Sequence, residues 1–310
     1  MDSFQYKLKK RRIAVLVVVR NTFPFLALSM ALSAGTPASA GDALETIRSA
    51  TYSHSSAFRP SAKILNWNID RGQHLAGIEA AMRETRPDLC IFQEVDLGAR
   101  RTHGQDIAQE LAEAFGMNYA GAPEFQELSQ STAAGAAYHG QAILTTMPIR
   151  STRILRFTNQ SGFWKPRPML ISSLPILKRR EGGRIAQISE LDNGGRLLVI
   201  YNLHLESRGD EQLRLRQLDE VLADARRYPQ DTPVIVAGDL NTKSRHSPLI
   251  DRLNQDGYRS CFGGRRIRTH IIIGALDWVF VRGPIQAEDA RIIRDAHSSD
   301  HFPIALEVRF

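Results

Sequence analysis

The chain has few cysteines, few aromatic residues and no long hydrophobic run. Of its 310 residues only two are cysteines, and 7% are aromatic. No Cys or His spacing resembles a zinc site. There is no internal repeat and no low-complexity tract, and no uninterrupted apolar run reaches the roughly 18 residues that a membrane-spanning helix needs. These absences exclude a zinc-ligating motif, a repeat architecture and an uninterrupted membrane span.

The two cysteines, Cys90 and Cys261, permit one disulfide at most. Such a bridge is compatible with an exported protein. Cys90, however, lies inside the apolar run LCIF, which is typical of a small buried hydrophobic residue. The sequence therefore favours free thiols and leaves a bridge open.

The body of the protein carries little net charge. The formal charge is +7, but residues 1–40 hold six lysines and arginines against Asp2 alone, which leaves +2 for the rest. Bulk charge therefore does not indicate a nucleic-acid-binding face.

The first 40 residues have the layout of a secretory signal peptide. A basic start precedes two apolar runs, at 13–19 and 22–35, and Ala38-Ser39-Ala40 follows. This order predicts export, with cleavage after Ala40. The alternative is an uncleaved membrane anchor, which Arg20 makes less favourable because it interrupts the apolar stretch. We expect any membrane association to depend on residues 1–40.

Beyond this segment the sequence predicts a short connector and one large domain. Residues 41–60 are rich in Ser, Thr and Ala and predict a linker, and 61–310 predict the folded domain. Apolar runs bounded by turn residues predict strands, at 63–68, 88–94, 141–146, 184–190, 196–204, 234–239, 276–281 and 301–308. Apolar residues at helical spacing predict helices, at 75–82, 107–115, 213–225 and 248–256. Residues 151–183 predict a long surface excursion.

Some of these strands are joined by helices and others by a hairpin. This mixture predicts an α/β fold with mixed sheets, whose outer faces are covered by amphipathic helices. Two sheets packed face to face with helices outside satisfy that requirement.

The stretch Val234–Thr242, VIVAGDLNT, holds two candidate site residues at the end of a predicted strand. A buried strand ends in Asp239 and Asn241, and residues two apart in an extended segment point the same way. An oxygen-only pair of this kind suits a hard divalent cation such as Mg²⁺. Turn formation is the alternative reading of Asp-Leu-Asn at a strand end.

Other predicted strands also carry polar residues at one terminus, namely Asn68, Asp70, Glu94, His204, Asp277, Asp300 and His301. Several carboxylates in one cleft repel each other unless a cation neutralises them. Glu94 is the best candidate for a direct ligand, because an unpaired carboxylate at the end of an apolar strand is costly.

His301 is a candidate general base, because it follows Asp300 at the start of an apolar strand and a histidine titrates near neutral pH. Each supporting residue also has a structural reading. His204 alone is compatible with a hydrogen-bonded structural histidine, and Asp277 with a turn cap.

Six motifs in the chain resemble those of the endonuclease/exonuclease/phosphatase superfamily, which includes deoxyribonuclease I, abasic-site endonucleases, sphingomyelinases and inositol polyphosphate phosphatases. They are N-W-N at 66–68, Q-E at 93–94, N-L-H-L at 202–205, G-D-L-N at 238–241, L-D-W at 276–278 and S-D-H-x-P at 299–303. They fall in the family's order over nearly all of 61–310. The resemblance implies a four-layer α/β/β/α sandwich of two mixed β-sheets flanked by helices, with the site at one end of the paired sheets.

The same resemblance implies a metal site and its ligands. Asn68 and Glu94 would bind Mg²⁺, or alternatively Mn²⁺, and Asp300 would support the metal or its water shell. A charged phosphoester requires such neutralisation for in-line attack by water.

The resemblance also implies catalytic roles. Asp239 would orient the attacking water, and Asn241 would hold a phosphate oxygen. His301 would activate that water or stabilise the developing charge, with Asp277 fixing its tautomer. His204 would contact the phosphoryl oxygens.

The sequence departs from the family pattern at Gln141. The stretch from His139 to Ile143 resembles a bacterial branch in which many members carry Asn at the position of Gln141. A phosphate-contacting role for Gln141 is therefore not carried over.

The predicted function is hydrolysis of phosphoester bonds by an exported, metal-dependent monomer. Its substrate would be nucleic acid or a phospholipid head group, with a nuclease favoured because the fold often serves that chemistry. The alternatives are a sphingomyelinase-like phospholipid phosphodiesterase and a non-catalytic binding protein. Arg265, Arg266 and Arg268, with 178–180, are compatible with a polyanion contact or a solvated face.

Overall fold

The computed structural model describes residues 43–163, 180–242 and 246–310. The expected signal peptide over 1–40 lies outside the described residues, as do Trp164, Lys178 and Arg179. Among the described residues, no helix has both the length and the apolar character needed to cross a membrane. Cys90 and Cys261 are both unbridged.

The helices begin and end close to where their sequence signals predict. They are α1 (Leu75–Thr85), α2 (Ile107–Phe115), α3 (Glu211–Ala225) and α4 (Pro248–Gln255), with a short 3₁₀ helix at Arg100–Thr102. Asp210 and Ser247 cap the N-termini of α3 and α4, where their side chains accept backbone N–H groups. Gly116 ends α2 in the left-handed conformation.

Fourteen strands are described, and they form two mixed sheets. They are β1 (Arg48–Ala50), β2 (Ser61–Arg71), β3 (Leu89–Leu97), β4 (Asn118–Glu127), β5 (Tyr138–Thr145), β6 (Ile149–Arg156), β7 (Arg180–Gly182), β8 (Ile185–Asn193), β9 (Arg196–His204), β10 (Val234–Asp239), β11 (Arg259–Ser260), β12 (Asp277–Arg282), β13 (Gln286–Ile292) and β14 (Ile304–Arg309). The first sheet has the order β1-β4-β5-β3-β2-β14-β13, with β7 also paired to β4, and the second has the order β11-β12-β10-β9-β8-β6.

The two sheets pack face to face and the helices cover their outer faces. Ile64 and Ile91 of the first sheet share a buried cluster with Ile200 and Ile235 of the second. Outside the first sheet, α1 and α2 bury residues against Trp67 and Phe92. Outside the second, α3 and α4 pack against residues of β9 and β10. The predicted four-layer α/β/β/α sandwich is therefore confirmed.

Parts of the sequence interpretation are wrong. The expected linker at 41–60 contains β1, which pairs with β4, and the start of the expected excursion at 151–183 is the edge strand β6. Both strands expose much of their surface, so neither shows the apolar run or clean alternation that marks a strand in sequence. Residues 164–179 of that excursion lie outside the described residues.

Strand direction brings the predicted site residues to one end of the sandwich. β2 runs parallel to β3, and β9 runs parallel to β10, so each pair presents its carboxyl ends together. β14 is antiparallel to β2, which places its start beside the end of β2. The polar residues near these strand termini therefore meet at one edge.

Candidate active site

Three site residues lie side by side on neighbouring strands of the second sheet. Asp239 ends β10 and is in register with His204 of β9 on one side and Asp277 of β12 on the other. Gly238 makes this register possible, because a Cβ atom there would lie 2.0 Å from the Leu203 carbonyl oxygen. Its φ of +134° also lies in the region that favours glycine.

Asp239 lies between two histidines. Its Oδ2 atom is 3.8 Å from Nε2 of His204 and 3.8 Å from Nε2 of His301. The three residues are buried. A carboxylate flanked by two imidazoles can accept a proton from a bound water and share the charge with both rings.

His301 is held by contacts on both its ring and its backbone. Its Nδ1 is 2.8 Å from Oδ2 of Asp277, so Nδ1–H donates to that carboxylate and Nε2 faces Asp239. Ser299 Oγ accepts from the His301 amide and donates to the Asn68 carbonyl, which ties the S-D-H segment to β2. Asp277 and His301 thus form the carboxylate–imidazole arrangement that fixes a ring tautomer.

Burial alone would lower the pKa of His301, but its carboxylate neighbours outweigh that effect. Asp277, Asp239 and Asp300 together raise the pKa of His301 to about 10. In the described structure His301 is therefore a proton donor near neutral pH.

Glu94 projects from an irregularity in β3. The register between β3 and β5 shifts between Gln93 and Val95, and Glu94 sits in that β-bulge with φ of +53°. Such a conformation is unfavourable for a glutamate and re-aims its side chain out of the ladder. The carboxylate lies 3.9 Å from Nε2 of both His204 and His139.

The charge state of Glu94 is set by its surroundings. Burial acts to raise its pKa, but His139, His204 and Arg71 hold the pKa of this carboxyl well below its usual range. Glu94 is therefore ionised, as a direct cation ligand must be.

Asn68, on β2 of the first sheet, contacts Asp239, on β10 of the second sheet. Its Nδ2 donates to Oδ2 of Asp239 at 3.3 Å, and its Oδ1 accepts from the Asp70 amide at 3.2 Å. This assignment leaves the Asn68 oxygen one further lone pair. Burial raises the pKa of Asp70, and the carboxylates of Glu94 and Asp300 raise it further, which marks these three as neighbours.

The donors at this edge fit a hard cation better than a zinc-like ion. Oxygens of Glu94 and Asn68 are ligands that Mg²⁺ and Mn²⁺ prefer. A positive charge is already present, because the Arg71 guanidinium pairs with Asp70 and lies 3.5 Å from Glu94. A bound cation would therefore share these carboxylates with Arg71 or displace it.

Two histidine-containing groups nearby are less suitable as metal ligands. Ligand atoms of His270, Asp300 and His301 lie within 4.8 Å of one another, as do those of Asp239, Asp277 and His301. His270 Nδ1 accepts two backbone N–H groups, so its lone pair is already used. His301 donates Nδ1–H to Asp277, and its raised pKa keeps a proton on Nε2 as well, so neither ring nitrogen offers a lone pair.

One predicted residue is placed differently from the expectation, and another lies at the solvent edge of the site. Asn241 was expected to continue the strand alternation with Asp239, but its φ of +50° ends the strand, and its Nδ2 donates to the Leu205 carbonyl. Asp300 lies at the solvent edge with its side chain 59% exposed, 4.0 Å from Nε2 of His301. Its two oxygens face His301 and His270.

The sequence did not identify a buried layer behind these residues. Glu124 of β4 lies 3.4 Å from Nδ1 of His204 and 2.7 Å from Arg184. His139 lies between Glu94 and Asp96. His139 stands in the motif H-G-Q-A-I noted above, whereas nothing in the sequence around Glu124 distinguishes it.

Comparison with known proteins identifies the family of the chain. A profile described as the Endonuclease/Exonuclease/phosphatase family matches residues 65–301. That span contains every predicted site residue. Among curated proteins, no sequence matches at a significant level.

Solved structures share the fold. The human Nocturnin catalytic domain, determined with bound sulfate anion, is 17% identical with a TM-score of 0.63, covering 86% of this chain and 97% of its own. An endonuclease/exonuclease/phosphatase from Beutenbergia cavernae is 17% identical with a TM-score of 0.59, covering 81% and 72%. A humanized D. rerio TDP2 is 19% identical with a TM-score of 0.56, covering 81% and 100%.

Proposed function

Because the chain belongs to the endonuclease/exonuclease/phosphatase family, we propose that it is a Mg²⁺-dependent phosphodiesterase whose nucleophile is a water. The observation that carries the proposal is Asp239, whose Oδ2 faces the Nε2 atoms of two histidines at 3.8 Å each. A carboxylate and two imidazoles grouped in this way supply a proton acceptor for a water and N–H donors for phosphoryl oxygens.

In this proposal Asp239 orients the attacking water and accepts its proton. Its position is fixed by the Asn68 amide and by the Asn241 backbone N–H, which donates to Oδ1 at 2.8 Å. Asn241 thus acts first through its backbone, and the second hydrogen of its side-chain amide is the donor for a phosphate oxygen.

His301 then stabilises charge on the phosphoryl oxygens. Its raised pKa supports this role over proton abstraction, since a protonated imidazole donates from Nε2. Asp277 keeps the ring in place through Nδ1. His204 presents Nε2 to the same space, because its Nδ1 faces Glu124.

Glu94, Asn68 and Asp300 would hold the cation, with Mn²⁺ as an alternative to Mg²⁺. When bound, the ion would neutralise charge on the phosphoester and lower the pKa of a coordinated water. We further propose that the protein acts after export, on the strength of residues 1–40, and that it is a monomer.

A substrate panel tests the proposal. Plasmid DNA, RNA, sphingomyelin, inositol phosphates and bis(p-nitrophenyl) phosphate are each incubated with Mg²⁺, with Mn²⁺ and with chelator. We expect cation-stimulated hydrolysis of at least the activated diester, abolished by chelation. Absence of hydrolysis of every substrate with either cation would refute the phosphodiesterase and favour a binding protein on the same scaffold.

A further inference from the structure

Three consecutive isoleucines are exposed beside the candidate site. Ile271, Ile272 and Ile273 are 45%, 81% and 42% exposed. We call residues 270–274 the isoleucine loop. Surface loops are normally built from polar and turn-forming residues, and a run of exposed apolar side chains is costly unless it has a partner.

Hydrogen bonds within the isoleucine loop hold it in this exposed position. His270 Nδ1 accepts the backbone N–H groups of Ile272 and Ile273 at 2.9 and 3.0 Å. The backbone N–H of His270 donates to the Gly274 carbonyl, which closes the turn. The isoleucines are therefore presented outward by their own backbone, and a collapse inward would break these bonds.

The loop is attached directly to catalytic residues. The Ile271 amide donates to the Asp300 carbonyl, and the rings of His270 and His301 contact edge to face at 4.8 Å between centroids. Thr269, which precedes the loop, accepts the Asp277 amide on its hydroxyl. Whatever covers the isoleucines is therefore brought next to His301.

Basic residues accompany the apolar side chains. Arg265, Arg266 and Arg268 precede the loop and are all exposed. Arg268 donates to the carbonyl of His270, so its charge is fixed at the base of the loop. Apolar side chains flanked by arginines form an arrangement that binds the interface of an anionic membrane. The apolar side chains enter the acyl-chain region, and the arginines lie at the phosphates.

We infer that the isoleucine loop inserts into a phospholipid surface and brings head-group phosphates to His301. A nucleic acid would also satisfy the arginines, but aliphatic isoleucines offer no aromatic face on which bases stack. Of these two partners, only a lipid surface binds both the exposed isoleucines and the arginines. The inference deepens the proposed phosphodiesterase and rests on it for the chemistry, although membrane contact is measurable without any hydrolysis.

A fluorescent reporter on the loop tests the inference in the full-length protein. Ile272→Cys is labelled with an environment-sensitive dye and mixed with vesicles of phosphatidylcholine and phosphatidylglycerol. The native thiols interfere little, because Cys90 is buried and burial raises the pKa of Cys261 to about 12. Wild-type protein treated in the same way measures the residual labelling.

Phe58→Cys is the matched control. Phe58 is another exposed apolar residue, 43% exposed, with the Arg196 guanidinium 4.5 Å from its ring. It lies against Gly194 in the turn that begins β9, at the opposite end of the strand from His204. Any contribution of residues 1–40 to membrane binding is common to both labelled proteins.

We expect vesicles to raise the emission of the Ile272 label severalfold, with quenching by nitroxide-labelled lipid, and to leave the Phe58 label unchanged. No response of the Ile272 label, equal responses of the two labels, or a response to single-stranded DNA in place of vesicles would each overturn the inference. Hydrolysis of bis(p-nitrophenyl) phosphate by the same preparation tests the proposed function separately. If the protein hydrolyses the soluble diester but the Ile272 label does not respond to vesicles, the membrane inference is overturned and the proposed phosphodiesterase stands.

Discussion

Asp277 and His301 are 24 residues apart in sequence and 2.8 Å apart in the fold, where the carboxylate accepts the imidazole Nδ1–H. Both are buried, and the contact leaves Nε2 as the only free nitrogen of the ring. The proposed chemistry therefore depends on Asp277 without requiring it to touch the substrate.

Asp277→Asn should lower kcat with little change in KM. The amide keeps the shape of the side chain but loses the charge that holds the ring and its proton. We expect a loss of about 10²–10⁴-fold, the range for a positioned acid or base. Hydrolysis of bis(p-nitrophenyl) phosphate measures it, with Asp219→Asn as the control, since Asp219 pairs with Arg252 at the surface. Unchanged kcat in Asp277→Asn would remove the pair from the mechanism.

Glu94→Gln should abolish cation binding while preserving the fold. A ligand that binds only the folded state raises the melting temperature, so Mg²⁺ should stabilise wild-type protein and leave the variant unaffected. Glu79→Gln is the matched control, because Glu79 pairs with Arg83 on an exposed helix face. Thermal unfolding with and without Mg²⁺ measures both. A full Mg²⁺ shift in Glu94→Gln would exclude Glu94 as a ligand.

The helices and the central strands were predictable because each carries a local signal. Ile107, Leu111 and Phe115 recur at helical spacing, and β10 is a short apolar run. The strand β4 was not predicted. Its sequence, NYAGAPEFQE, shows neither alternation nor an apolar run, because buried Glu124 and Glu127 pair with arginines there.

The site was predictable at strand ends and hidden elsewhere. Asn68, Glu94 and Asp239 each follow an apolar run in the sequence, where a polar residue stands out. Glu124 and His139 lie within strands, and their partners come from distant parts of the chain. The conformation of Asn241 also escaped prediction, because alternation assumes an extended backbone and the backbone turns at that residue.

Glu124 should make the protein sensitive to acid. Burial acts to raise its pKa, but Arg184 and His204 lower it from 4.5 to about 2. A depressed pKa in the folded state stabilises the protein above pH 4.5, and this stabilisation is lost as the pH falls towards 2. The lowered pKa of Glu124 contributes about 3 kcal/mol to the free energy of unfolding above pH 4.5.

Urea unfolding of wild-type protein and Glu124→Gln between pH 6 and about pH 2.5 measures this effect. The variant should be less stable at pH 6, because Arg184 loses its buried partner. The two stabilities should converge as the pH falls. Parallel pH profiles would contradict the role given to Glu124.

Gly238→Ala should destabilise the fold by about 2–4 kcal/mol, because a methyl group would collide with the Leu203 carbonyl oxygen 2.0 Å away. The matched control is Gly257→Ala, at another positive φ but with no atom within 4 Å of the added Cβ. It should cost about 1 kcal/mol from backbone strain alone. Equal losses in urea unfolding would show that β9 does not confine Gly238.

The role of His301 in metal-dependent hydrolysis is tested by assaying bis(p-nitrophenyl) phosphate with Mg²⁺ in His301→Ala, wild-type protein and His297→Ala. His297 is an exposed histidine four residues away and controls for the loss of an imidazole. We expect chelator-sensitive hydrolysis in wild type and His297→Ala, and its loss in a folded His301→Ala. Full activity in His301→Ala would contradict that role.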